Sequence, residues 1–407
     1  MTEVMSGVRI LEVAEHTFVP AASALLSDWG ADVVKIEHIE RGDAMRGLAS
    51  TGVTEIPGDV HILLEHSNRG KRSLGLDLTK PEGLEILYKL ATTADVFLTN
   101  KLGRVLRKLK IDVDDIRAHN PQIIYVRGTG QGSRGPDADK GSYDSLAFWA
   151  RSGTAMGVMD PDHTRVPHPP GPGFGDSIGA MTIAGGIMGA LYHRERTGEA
   201  TVVDVSLLGS GMWAMGQGIG LAVATGRGWS PVPPPATMRR NPLVGNYRTK
   251  DEKWLALTCL QAGFYWAPMC EAIGRPELIT DPRFADHAAL VENGNEAVAI
   301  LADVFAERTV DEWREALDDF VGQWTVVQDS LEVAADRQTV ANDYVQPCET
   351  ASGTPFQLVT APVQFDDQPN PPGRAPEFNE HGEEILTELA GLDWDTIIDL
   401  KVRGVVA

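Results

Sequence analysis

Short apolar runs alternate with helical stretches through the first 130 residues, and this alternation restricts the fold more than any other feature of the sequence. Residues 8–14 (VRILEVA) read as a strand ending in a turn region. Pro20 suits the first turn of a helix because its φ is already helical, and residues 21–29 are helical in composition. Gly30 stops that helix, and residues 32–37 (DVVKIE) form the next strand. A strand at 73–77 precedes a capping-box spacing, Thr79 with Glu82, that has Pro81 near the helix start. That helix runs to about residue 91. Strands follow at 96–98 and, after two short helical stretches, at 123–127 (IIYVR). Apolar strands separated by helices predict an α/β domain whose parallel sheet is covered on both faces.

Further along, residues 177–196 read as one long helix with Gly179, Gly185, Gly186 and Gly189 inside it. Each glycine costs about 1 kcal/mol relative to alanine. The pattern therefore predicts close packing against another backbone. A strand at 202–205 and a helix at 207–222 come next. Residues 226–245 then contain Pro231, Pro233, Pro234, Pro235 and Pro242, with Arg239 and Arg240 between, and read as a stiff linker. Residues 246–249 and 254–258 flank Lys250-Asp251-Glu252-Lys253 as a hairpin. Helices at 264–273, 293–307 and 311–319 follow, the last with a capping box at Thr309 and Glu312. The sequence thus divides into a large domain over 1–225, a small α+β domain over 226–330 and a return segment over 331–407. That segment holds Pro369, Pro371, Pro372 and Pro376, then a polar helix from Glu380.

Bulk composition narrows the function. The 407 residues fit two domains. A net charge of −21 opposes general nucleic-acid binding, which needs a basic surface; a local basic patch can still hold a small phosphate-bearing ligand. No apolar run approaches the roughly 20 residues of a membrane span, and the N-terminus lacks the pattern of a secretion signal. Three scattered cysteines, Cys259, Cys270 and Cys348, fit a reducing cytoplasm without a disulfide framework or zinc spacing.

Four segments could carry chemistry. A Pro/Gly stretch (residues 169–173) delivers Gly175-Asp176-Ser177 to the start of the long helix. The plain reading of Asp176 is an N-cap. In the same place, free N–H groups and the helix dipole can hold a carboxylate ionised as a nucleophile. Residues 101–110 (KLGRVLRKLK) hold five basic residues, including Arg104 and Lys108. They read either as a solvated helix face or as a phosphate site. The glycine-rich residues 128–135 match no phosphate-loop or dinucleotide fingerprint, yet they follow a strand of a parallel sheet, where ligands bind. His16 lies on a similar loop; a lone histidine there is more often structural. No cluster has metal-ligand spacing.

Taken in order, these residues resemble the class III coenzyme A transferases, which include formyl-CoA:oxalate and carnitine CoA-transferases. The resemblance is carried by residues 30–37 (GADVVKIE), 68–78 (NRGKRSLGLDL), 175–177 (GDS), 196–208 (RTGEATVVDVSLL), 281–284 (DPRF) and Glu380-His381. It implies a Rossmann-like CoA-binding domain, a small domain, and two linkers that close each protomer into a ring, with two rings interlocked as a homodimer. It also implies Asp176 as the nucleophile and CoA contacts near His16, Thr17, Phe18, His38, Arg104, Lys108 and Tyr143. The substrates would be an acyl-CoA donor and a carboxylic acid acceptor, with no permanent cofactor and no metal. Two alternatives are an α-methylacyl-CoA racemase and a CoA-binding partner subunit without activity. The racemases use a histidine in a Gly-His-Asp context, where this chain has Gly141-Ser142-Tyr143-Asp144.

Overall fold

In the computed structural model the sheet is built from β1 (Arg9–Val13), β2 (Asp32–His38), β3 (Arg72–Leu76), β4 (Val96–Thr99), β5 (Ile124–Thr129) and β6 (Val202–Ser206). Its order is β3-β2-β1-β4-β5-β6, and every pairing is parallel. The structure describes residues 2–52, 55, 56, 58–159, 164–229 and 241–407. Pro231, Pro233, Pro234, Pro235, Arg239 and Arg240 of the expected linker lie outside them.

Side chains alternate across the pleat. Ile10, Val33, Val96 and Ile124 join one buried cluster, whereas Leu11, Val34, Phe97 and Tyr125 join the other. The first cluster is closed by α1 (Phe18–Asp28) and the long α7 (Phe174–Thr197). The second is closed by α3 (Pro81–Thr92) and by the C-terminal helices Gly382–Glu388 and Trp394–Val402. Both faces are apolar because both are covered. The intervening helices are α2 (Ile62–Asn68), α4 (Gly103–Leu109), α5 (Val113–Arg117) and α6 (Thr154–Gly157); α8 (Leu207–Ala214) and α9 (Gly216–Thr225) follow β6. The C-terminus docks on the sheet edge, with Asp77 N–H donating to Val405 C=O at 2.9 Å. Strand β1 lies between β2 and β4, so the chain reverses direction across the sheet there. In parallel sheets such a reversal is where ligands bind, outside the carboxyl ends of the strands.

The chain divides into two compact units, 1–231 with 338–407, and 232–337. The smaller has an antiparallel sheet of β7 (Val244–Arg248), β8 (Trp254–Thr258) and β9 (Trp324–Val326) around buried Trp266, Phe305 and Trp313. The Thr309/Glu312 capping box forms as expected.

Several expectations are corrected. The Thr79/Glu82 box does not form: the Thr79 hydroxyl is taken by Asp77 at 2.6 Å, and Lys80 is the cap residue. The helix expected at 207–222 is two helices bent by 71°. The return segment contains a hairpin, β10 (Val345–Glu349) with β11 (Pro355–Val359). Helix α7 is long and apolar enough to cross a membrane, although it was expected that no stretch would be; here its Ala180, Ile183 and Ile187 are buried in the sheet-facing core. Its glycines do not meet backbone. Gly179 meets the Phe18 ring, where an added Cβ would lie 2.4 Å from a ring carbon, and Gly185 and Gly189 face open space.

Phe18 is itself buried, so its ring cannot swing away from a new methyl group. Overpacking costs about 1–3 kcal/mol, against about 1 kcal/mol gained when alanine replaces helical glycine. Gly179→Ala should therefore lower the urea midpoint without changing the m-value.

Candidate active site

Asp176 is the third residue of α7, not its cap. Gly173 takes the cap position in the left-handed region, at φ +66. The local side-chain cap is replaced from a distance. Asp144, in the segment after β5, accepts the Gly175 N–H at 3.0 Å and also receives the Asp176 N–H. Helix N–H groups without intrahelical partners need such an acceptor, and with Asp144 supplying it the Asp176 side chain is left for other work. Gly175 makes the approach possible. A Cβ there would lie 2.2 Å from Phe148 and 2.4 Å from the Asp144 carboxylate. Residues Ser145–Arg151, directly after Asp144, form a π-helical turn, a rare form that is frequent at functional sites.

Burial first, and the Asp144 charge second, push the Asp176 carboxyl up to about 7. Burial also raises Asp144, against the two N–H groups it accepts. One Asp144 oxygen is buried with no hydrogen-bond partner among the described residues. Two carboxylates, Asp144 buried and Asp176 half-buried, thus share a corner in which both cannot ionise cheaply.

The loop leaving β1 abuts this corner. The methyl of Thr17 lies 3.2 Å from where a Cβ on Gly173 would stand. His16 sits at φ +69, and its ring meets the exposed Tyr143 ring edge-on, with centroids 5.6 Å apart. His16, Thr17, Tyr143 and Asp176 are therefore linked through a short chain of contacts. Phe18 differs: its side chain is buried in the core against Gly179, so only its backbone at the first turn of α1 can meet a ligand. That corrects any side-chain contact expected of it.

His38 is exposed at the end of β2, its Nδ1 accepting the Glu40 N–H at 3.2 Å. Arg104 and Lys108 are exposed on α4. Within the same basic stretch Lys101 pairs with Glu15 at 2.6 Å and Arg107 with Asp139 at 3.2 Å. His38 and α4 share the carboxyl edge of the sheet with the Asp176 corner, but no contact joins them to it among the described residues. Likewise no three His, Cys, Asp or Glu side chains converge as a metal site.

The sequence reading missed Asp144 and a buried ionic cluster behind the β1 loop. Glu12 and Lys35 pair at 2.7 Å, Lys35 and Asp43 at 2.8 Å, and Lys71 and Glu12 at 2.8 Å. Burial would raise Asp43, but the Lys35 charge and two N–H groups hold it down to about 2. Burial pushes the Lys71 ammonium down to about 7 against the pull of Glu12. A signal was present: Glu12 and Lys35 are charged residues that interrupt the apolar runs of β1 and β2.

The sequence model for CoA-transferase family III matches residues 5–382. The (R)-2-hydroxy-4-methylpentanoate CoA-transferase of Clostridioides difficile is 30% identical over 403 residues, covering 99% of each chain. The cinnamoyl-CoA:phenyllactate CoA-transferase of Clostridium sporogenes is 30% identical, covering 95% of this chain and 94% of its own. A CaiB/BaiF family protein of Brucella suis superposes with a TM-score of 0.77 at 26% identity, over 96% of this chain and all of that one.

The carboxylate pair has a direct consequence for pH. If ionised Asp176 is the working form, the rate should fall as pH drops through about 7. Asp144→Asn removes the like charge, so Asp176 should ionise more readily. The acid limb of the kcat/KM profile should then move to lower pH.

Proposed function

Because this chain belongs to CoA-transferase family III, we propose that it moves coenzyme A from an acyl-CoA thioester to a free carboxylic acid through covalent intermediates on Asp176. The observation that carries the assignment of Asp176 is its setting: a half-buried carboxylate beside a second carboxylate at a helix start, flanked by the loops that leave β1 and β5 at the carboxyl edge of the sheet.

The Asp176 carboxylate attacks the donor thioester carbonyl; the C–S bond breaks and CoA thiolate leaves, giving a mixed anhydride. The thiolate attacks the Asp176 carbonyl carbon, the donor acid departs as carboxylate, and Asp176 carries CoA as a thioester. The acceptor carboxylate displaces the thiolate and forms a second anhydride. Attack of the thiolate on the acceptor carbonyl then releases the new acyl-CoA and restores Asp176. Each stage is an acyl transfer to a good nucleophile. Backbone N–H groups of the glycine-rich segment after β5 stabilise the tetrahedral oxyanions.

The 3-2-1-4-5-6 strand order is read as a Rossmann-like CoA-binding sheet. His16, Thr17, the Phe18 backbone, His38, Arg104, Lys108 and Tyr143 are placed along the CoA molecule, with Arg104 and Lys108 at its phosphates. Two relatives act, by name, with 2-hydroxy acids, so that class of acceptor is the first to try. Free cysteines fit a cytoplasmic enzyme. Helix α9 has no buried residue, and Trp213 and Val223 are 87% and 80% exposed; an apolar surface of that kind supports the interlocked homodimer.

Two measurements test this reading. Asp176→Asn should abolish transfer while keeping CoA binding, because an amide is a far poorer nucleophile. Hydroxylamine should trap a thioester-dependent mass change at Asp176 in the native enzyme. Full activity in the variant overturns the mechanism, and solvent deuterium entering the substrate α-carbon without acyl exchange points to racemisation. The same variant should also be more stable than the native protein, by an amount that grows from about pH 4 to 7 and then levels. A carboxyl raised by folding loses stability across that window, and asparagine carries no such cost. For the dimer, tagged and untagged protein mixed for hours should form little hetero-dimer, and sedimentation should show no dilutable monomer.

A further inference from the structure

The loop from Ala14 to His16 is short, irregular and held at every backbone group on which a side chain closes. Lys35 Nζ donates to the Ala14 carbonyl at 3.0 Å. Asn100, just beyond β4, takes both sides of the next residue: its Oδ1 accepts the Glu15 N–H at 3.2 Å, and its Nδ2 donates to the Glu15 carbonyl at 2.7 Å. Asp43 Oδ1 accepts the His16 N–H at 3.0 Å. Four successive backbone groups are therefore fixed by three side chains from three different segments. His16 sits at φ +69, a region non-glycine residues seldom occupy, so the loop needs that restraint. Asp43 is 1% exposed and cannot itself reach a ligand. It is oriented by Lys35 at 2.8 Å and by the Met45 N–H at 2.8 Å. Thr17, the next residue of the loop, rests against the Gly173 turn that presents Asp176.

We infer that Asp43 and Asn100 are positioning residues for acyl transfer: they clamp the β1 exit loop so that it keeps its place against the Asp176 turn through the reaction. The inference rests on the transferase reading. A loop displaced by about 1 Å can cost roughly 100-fold in rate, whereas binding spread along CoA is little affected.

The test combines amide exchange with kinetics on the full-length enzyme. In Asp43→Asn, peptides covering residues 14–18 should exchange at least tenfold faster, while peptides from the centre of α7 keep their rate. The kcat per active site, titrated by hydroxylamine trapping, should fall at least tenfold with the KM for acyl-CoA within threefold. A purely structural role would lower the amount of active enzyme and leave kcat per site unchanged. Unchanged exchange at 14–18, or kcat within twofold of native, overturns the inference. Should Asp43→Asn not fold, Asn100→Ala, at a half-buried position, reads the same clamp with the same outcomes. Native enzyme that exchanges no CoA would refute the transferase reading and the positioning role with it. The exchange data would then still show whether the clamp itself exists.

Discussion

Glu12 and Lys35 stand opposite one another on adjacent strands, wholly out of water, and much of the large unit is arranged around that pair. Ions in a protein interior are expensive unless each is paired and hydrogen-bonded. Here Glu12 also accepts from Lys71 and the Ser23 hydroxyl, and Lys35 also pairs with Asp43 and donates to the Ala14 carbonyl. Neighbouring cations hold Glu12 ionised in spite of burial, and neighbouring anions do the same for Lys35. A one-residue slip between β1 and β2 would put the two charges on opposite faces of the sheet and strand both without their partner. The pair therefore fixes register rather than adding much stability. Because Lys71 also donates to the Pro20 carbonyl at 2.8 Å, the same cluster ties the start of α1 to the segment entering β3.

How much of this was legible in the sequence follows from how local each cause is. The strands and their order of appearance were readable, since apolar runs of the right length broken by glycine and proline have few other solutions. The kinked pair α8 and α9 was not, because the segment carries glycines throughout, at 209, 211, 216, 218 and 220, and nothing local marks Gly216 as the break. Nor was β9, three residues long and existing only by pairing with β8. Asp176 was singled out by its Gly-Asp-Ser setting, and its plain reading as an N-cap does not hold, because Gly173 takes that position. The true acceptor, Asp144, lies 32 positions earlier and reaches the helix only in three dimensions. Thr79 failed for a local reason: Asp77 offers a stronger acceptor two residues away.

Phe18 shows a limit on what a place in a loop implies about a side chain. Its place in the β1 loop put it among ligand contacts, yet first positions of a helix often turn their side chains back into the core. In this chain the ring fills the space left by Gly179 and Gly128. The two glycines are small because the aromatic ring is there, and the ring in turn sets the distance between α1 and α7. That distance decides how far the β1 loop stands from Asp176.

An acidic protein must still attract a phosphate-rich substrate, and the distribution of its charge is consistent with that. Acidic residues pair with most of the basic ones near the sheet edge: Glu15 with Lys101 and Arg41, and Asp139 with Arg107. Arg104 and Lys108 project from α4 into solvent, where a field of a few kT over a short range suffices to guide a charged ligand. Deeper in, the sign reverses. The Asp144 charge beside half-buried Asp176 makes that corner unfavourable for a second ionised group. Under the transferase reading proposed above, attraction at the rim and repulsion at the centre favour an orientation with phosphates outward and the thioester inward, toward Asp176.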